Sequence, residues 1–290
     1  MDGIINIYKP KEWTSHDIVA KIKRITGEKV GHTGTLDPLA QGVLPILIGK
    51  GTQCSKYLIN HDKIYQAQLK LGIKTDTADS EGKIIEKEDI LPNILEKENI
   101  QKVLNSFLGE QMQIPPMYSA IKVKGKKLYE YARNGKNVKI EPRKIKIYEI
   151  KLIKIYQQEK IIEFEVSCSK GTYIRSLCED IANRLGTVGY MKNLNRMQVG
   201  KFNNLNAVNI ENLDNKEKSI ELIKKYLIPI EEIFKDRQSI ELNNKKLNLF
   251  LNGVKLTQDR ENGIYKIYSE NKFIGTGIIK DGLLKRDIVI

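Results

Sequence analysis

Between Gly31 and Pro45 the chain collects the residue types from which a stiff catalytic loop can be built: Gly-His-Thr-Gly-Thr-Leu-Asp-Pro-Leu-Ala-Gln-Gly-Val-Leu-Pro. Three glycines and two prolines set an irregular backbone there, and His32 and Asp37 are the polar side chains it could aim into a cleft. Pro38 also pushes Asp37 towards extended geometry. Several familiar chemistries fail on spacing. Gly42 to Gly49-Lys50-Gly51 has the outline of a phosphate loop, but six residues instead of four separate the glycines and no Ser or Thr follows Lys50. His16, His32 and His61 are the only histidines and none sits in a ligand-spaced motif, which excludes a zinc deaminase with its His-x-Glu and Cys-x-x-Cys. A Gly-x-Ser-x-Gly nucleophile elbow is also missing. What remains is a lone aspartate as covalent catalyst, a role a carboxylate fills when its electrophile is activated.

Such a loop needs rigid neighbours. Gly3 to Tyr8 reads as a strand ending at Lys9-Pro10. A helix follows, opened by Thr14 or Ser15 with Asp17 as capping-box partner, with Ile18, Ile22 and Ile25 on one face and Gly27 at its end. Tyr65, Ala67, Leu69 and Leu71 alternate with Gln66, Gln68 and Lys70, the pattern of a half-buried strand. Glu96 to Leu108 is moderately helical, Gln113 to Ser119 reads as a loop, and strands are expected at Ile145 to Ile155 and Ile161 to Cys168. A second amphipathic helix starts near Thr172, lines up Ile174, Leu177, Ile181 and Leu185, and stops at Gly186. Arg175 flanks its buried stripe. After Phe234 short alternating pieces with turn residues suggest a small β-rich module. Strands and helices without regular βαβ alternation imply an α+β fold with a mostly antiparallel sheet.

The 290 residues suffice for a large catalytic domain and a small appended one. With 40% apolar and 29% charged residues the composition is globular. The longest apolar run, Val43 to Ile48, is too short to span a bilayer, and the first residues lack the pattern of a secretion signal, so the cytoplasm is expected. Cys54, Cys168 and Cys178 show neither zinc nor disulfide spacing and are expected to be buried thiols. A net charge of +13 favours a polyanionic partner, with nucleic acid foremost. The excess is concentrated: from Ala120 to Lys146 ten basic residues, Lys124, Lys126 and Lys127 among them, face only Glu130 and Glu141. Tyr118, Tyr129 and Tyr131 are interleaved, which suits phosphate neutralisation and base stacking, although a solvated hairpin would carry the same pattern.

The Gly31 to Pro45 segment, with Lys9-Pro10 and Trp13-Thr14-Ser15 upstream and Ser169-Lys170-Gly171-Thr172-Tyr173-Ile174-Arg175-Ser176-Leu177 downstream, resembles the bacterial tRNA pseudouridine synthase B family. The likeness runs from Gly3 to about Val199. Members commonly have Gly where Glu12 stands, a departure that touches only local backbone geometry. The resemblance implies a catalytic domain of pseudouridine-synthase type over 1–234, with an RNA-gripping insertion at about 113–146, and a reduced PUA-like RNA-binding module over 235–290. It implies isomerisation of uridine to pseudouridine at position 55 in the T-arm loop of tRNA, by base flipping and without cofactor or metal. A monomer without obligate protein partner or membrane attachment is expected.

Residue by residue, the resemblance makes Asp37 the nucleophile, attacking at C1′ or C6, and Arg175 the cation that keeps it ionised and oriented. Tyr65 matches the tyrosine that stacks on the flipped base and helps remove the C5 proton. Tyr173 and Leu194 match base-contacting positions, and His32 the histidine that fills the gap left in the RNA. Lys9 would steady the loop or a phosphate, and Lys124, Lys126 and Lys127 would grip the RNA. A non-catalytic RNA-binding protein that kept the fold, or a synthase acting on other RNAs, are the competing readings; mere binding does not need Asp37, Tyr65 and Arg175 together.

Overall fold

The computed structural model describes residues 1–119, 121–136 and 138–290. Its organising element is a ten-stranded sheet whose main path runs Val208–Asn209, Gly3–Lys9, Gln41–Ile48, Gly189–Val199, Lys63–Leu71, Ile161–Cys168, Arg143–Tyr156 and Gly109–Gln113. Two of its contacts are parallel, between Gly3–Lys9 and Val208–Asn209 and between Gln41–Ile48 and Gly189–Val199; the remaining pairings are antiparallel. This is the α+β architecture expected.

The strand Lys63–Leu71 alternates buried and half-buried residues without a break, and Tyr65, Ala67, Leu69 and Leu71 point into a core shared with the helices Lys97–Asn105 and Ile174–Arg184. Helix Ser15–Thr26 begins with a complete capping box: Thr14 Oγ1 accepts from the Asp17 amide at 3.1 Å and the Asp17 carboxylate accepts from the Thr14 amide at 2.8 Å. It ends at Gly27, whose φ of 72° is the left-handed turn that frees its N–H for Lys23 O.

Three strands escape the alternation rule for identifiable reasons. Gln41–Ile48 is buried on both faces from Gly42 onwards, so no polar face marks it. Its Pro45 stands opposite Asn6, at a point where neither of the strands on its other flank is paired, so the missing donor falls in a gap of the ladder. Gly189–Val199 carries two register shifts against Lys63–Leu71, and each bulge breaks the period of two. Gly109–Gln113 extends into the stretch read as a loop: Gln113 is a strand end, and its buried amide bonds both the N–H (2.8 Å) and the C=O (3.0 Å) of Tyr173. With Thr172 Oγ1 turned back on Ser169 O, that clamp delays the following helix to Ile174.

The last stretch forms a separate five-stranded sheet, in the order Ser239–Glu241, Gly263–Ser269, Lys272–Lys280, Leu283–Val289 and Leu256–Thr257, closed by helix Asn244–Leu251 around Phe250, Ile267 and Leu284. It docks on the main sheet through Ile288, which packs with Ile4, Val43 and Leu47, and through buried Asp287, which accepts from Tyr57 Oη at 2.5 Å and pairs with Lys56. Cys54, Cys168 and Cys178 are buried free thiols. Among the described residues no helix is long and apolar enough to cross a membrane, and no group of three His, Cys, Asp or Glu side chains could hold a metal ion.

Candidate active site

The Asp37 loop is suspended from three buried groups. Ser15, first residue of its helix, donates its hydroxyl to Leu36 O at 3.0 Å and accepts the Leu36 amide at 2.8 Å. Lys9 is fully buried, and its ammonium donates to Pro10 O (2.8 Å), Trp13 O (2.5 Å) and Pro38 O (3.3 Å). Burial draws its pKa down to about 8, against the pull of Asp37. All three bonds go to carbonyls of the chain, one of them in the Asp37 loop, as a strut of that loop would require. Arg196 is the third group, donating from Nε to Val43 O (2.8 Å), from Nη2 to Gly34 O (3.0 Å) and from Nη1 to Thr35 O (3.5 Å). Glu12 sits in the left-handed region at φ 67° and donates its N–H to Pro38 O, so the strain at this position is local to the loop's edge.

So held, Asp37 lies in a cleft of about 540 Å3 whose walls include Tyr65, Tyr118, Tyr173, Arg175 and Leu194. The Asp37 side chain is 36% exposed and Arg175 7%; Nη2 of the arginine is 3.1 Å from Asp37 Oδ2. Arg175 has further partners: Asp79 Oδ2 at 3.4 Å, Tyr118 O at 2.9 Å and Thr77 O at 3.4 Å. The guanidinium is therefore shared between two carboxylates. Burial raises the Asp37 pKa, Arg175 opposes that, and Asp79 adds to it. The ion pair expected from the sequence exists, but with its cation divided it does not bring the carboxyl below its ordinary range.

Tyr65 is 9% exposed, and its hydroxyl pKa is raised by burial and drawn back by Arg196. Tyr173 is half-buried beside it and Leu194 is nearly buried, a position that sequence alone would assign to the core. His32 is not part of the cleft wall; it closes the short strand Val30–His32, and its Nδ1 accepts the Gly34 amide at 3.2 Å. That bond leaves the proton on Nε2 of a neutral ring, and burial lowers the pKa accordingly. Lys124, Lys126 and Lys127 belong to the hairpin Lys122–Val123 with Lys126–Lys127 and stand outside the cleft wall. They reach it indirectly: Lys127 Nζ is 3.2 Å from the hydroxyl of Tyr129, which lines the cleft. Of the expected 113–146 segment, Ala120, Asn137 and the Arg133 side chain lie outside what the structure describes.

The structure thus gathers Asp37, Tyr65, Tyr173, Arg175 and Leu194 in one cleft. It adds Asp79 and Arg196, which the sequence reading passed over. Asp79 lies in a turn between short strands with no periodicity to mark it, and Arg196 sits between the two bulges that hide its strand.

Comparison with known proteins follows the same lines. Residues 22–174 match the TruB family pseudouridylate synthase N-terminal domain, residues 175–235 the tRNA pseudouridylate synthase B C-terminal domain, and residues 239–287 the C-terminal domain of pseudouridine synthase II TruB. A protein of Clostridium tetani named tRNA pseudouridine synthase B is 47% identical over 284 residues, 96% of this chain and 95% of the relative. One of the same name from Clostridium kluyveri is 43% identical over 97% of this chain and 96% of its own. Among solved structures, a chain of a Cbf5-Nop10-Gar1 complex superposes with a TM-score of 0.70 at 25% identity, over 98% of this chain and 83% of that one.

Proposed function

The chain belongs to the TruB family of pseudouridylate synthases, and from that premise we propose that it isomerises uridine to pseudouridine in the T-arm loop of tRNA, with Asp37 as nucleophile and no cofactor. The names of the relatives support tRNA as the substrate. The observation that carries the chemistry is the 3.1 Å pair between Asp37 and Arg175, set in a cleft walled by Tyr65, Tyr173 and Leu194.

A uridine in a folded loop must leave its stack before a side chain can reach its sugar or ring, at a cost of a few kcal/mol. The aromatic and aliphatic wall of the cleft offers contacts that offset this. Asp37 in its ionised form attacks C1′ or C6; the released uracil turns and rejoins the ribose through C5. Arg175 orients the carboxylate and opposes its protonation. The product has the composition of the substrate, so the reaction has no group or electron for a cofactor to carry. His32 fills the vacated place in the RNA from the loop's edge, while Lys124, Lys126 and Lys127 neutralise phosphates beside the cleft. The catalytic part spans 1–234 with the RNA-binding module over 235–290, and the enzyme works as a cytoplasmic monomer.

Incubation with an unmodified tRNA transcript and mapping of new pseudouridine tests this directly. Asp37→Asn should bind the transcript within a few fold of wild type and retain below about a thousandth of its turnover. Product at higher rates would remove Asp37 as nucleophile.

A further inference from the structure

We infer that Arg196 is a positioning residue for the removal of the C5 proton, acting through the hydroxyl of Tyr65. The inference deepens the synthase reading above and rests on it.

Arg196 is 2% exposed and among the largest fully buried side chains. A guanidinium in such a place is costly unless its charge is used, and among the described residues no carboxylate forms an ion pair with it. Backbone anchoring accounts for part of it: the carbonyls of Gly34, Thr35 and Val43 bracket the Asp37 loop on both sides. Neutral donors could satisfy those carbonyls. The remaining neighbour is Tyr65, directly opposite Arg196 in the antiparallel pair of Lys63–Leu71 and Gly189–Val199, so that the two side chains stand on the same face of the sheet. One buried cation therefore holds the nucleophile's loop and stands beside the tyrosine, and both side chains line the cleft.

The chemical consequence concerns the last step of the isomerisation. With the Arg196 guanidinium beside the phenol, the hydroxyl proton leaves away from that cation, toward the Asp37 carboxylate that lines the same cleft. Where Asp37 has attacked C1′, rejoining through C5 releases its carboxylate and leaves that carbon carrying both its hydrogen and the new bond, next to a C6=N1 double bond. The proton passes from C5 to the Tyr65 oxygen while the tyrosine's own proton passes to the Asp37 carboxylate. The C5–H electron pair becomes the C5=C6 bond, the pair it displaces settles on N1, and N1 takes up a proton, which balances the charge. Negative charge that builds on the phenol oxygen during this transfer meets a fixed cation.

The test uses the full chain with Arg196→Lys and Arg196→Met, each alone and combined with Tyr65→Phe. Single-turnover rates are read on an unmodified tRNA transcript and on one carrying deuterium at C5 of the target uridine, beside tRNA affinity and melting temperature. Arg196→Lys should lower the rate about a hundredfold, leave the Kd for tRNA within about threefold, enlarge the C5 isotope effect, and cost far less once Tyr65 is Phe, where only the loop contacts remain to be lost. Lys keeps the charge and guards against a Met variant that fails to fold. An isotope effect equal to that of wild type, or rate losses that multiply with those of Tyr65→Phe, would reduce Arg196 to a structural strut; where Tyr65→Phe is too slow to time, the isotope effect decides. A wild-type enzyme that makes no pseudouridine would instead sink the synthase reading itself.

Discussion

Burial raises the pKa of the Asp37 carboxyl, and Arg175, its immediate counter-charge, is shared with Asp79. The direction of the resulting shift fixes the sign of two pH effects. Attack requires the carboxylate, so the single-turnover rate should rise with pH through an acid limb lying above the range of an ordinary aspartate. Asp79→Asn removes a charge that raises the Asp37 pKa, and should move that limb to lower pH. For stability the sign is opposite: a folded-state pKa above the unfolded one contributes stability that is complete below the unfolded pKa and lost as pH rises through the folded one. Asp37→Asn should therefore melt no lower than wild type at neutral pH. A pH–rate profile and a thermal melt check both; an unmoved limb in Asp79→Asn would mean that Asp79 acts on Arg175 by geometry alone.

Among the elements, the hairpin of Lys122–Val123 and Lys126–Lys127 is the one to which the proposed function gives an electrostatic task. Lys122, Lys124 and Lys126 are exposed, and Lys127 leans on the Tyr129 ring at 5.3 Å from its centroid. Each phosphate such a side chain neutralises contributes about 0.7 to 0.9 to the slope of log affinity against log salt. Lys124→Glu, Lys126→Glu and Lys127→Glu together should flatten that slope by about two to three and weaken tRNA binding, measured by filter binding over a salt series. A slope equal to that of wild type would take the hairpin out of the RNA interface. The strand Lys63–Leu71 and helix Ser15–Thr26 were legible in sequence because each packs one face only, so period and cap are written in the residues. Gln41–Ile48 and Gly189–Val199, the strands that bring up the loop end and Arg196, were not, because full burial and bulges erase the period.

At the scale of the whole molecule, the terminal five-stranded sheet and the main sheet meet across a partly polar joint. Asp287 has a 3% exposed side chain and accepts from Thr276 Oγ1 of its own sheet and from Tyr57 Oη and Lys56, on the segment that leads directly into the strand of Tyr65. Loss of a buried charged acceptor leaves these donors unmet and costs about 1.5 to 3 kcal/mol. Asp287→Ala should therefore lower the stability of the joint by that order, visible as an early transition in urea denaturation, with activity falling in step. A single unshifted transition would show that Ile288 and its apolar neighbours hold the two sheets alone.

The amino-acid sequence by itself determined the α+β class, the family, and the loop that presents Asp37, because capping, alternation and the Gly-Pro spacing are local properties that neighbouring residues impose. It also named Arg175 and Tyr65, through a resemblance carried by contiguous motifs. Only the tertiary structure decided that Arg175 serves Asp37 and Asp79 at once, that Lys9 is spent on carbonyls, and that Arg196 holds the loop from a place opposite Tyr65. Apart from the two bonds of Lys9 to Pro10 and Trp13, those contacts link residues from 29 to 162 positions apart, and the direction of a buried charge's pKa depends on every group packed around it, which chain order does not record.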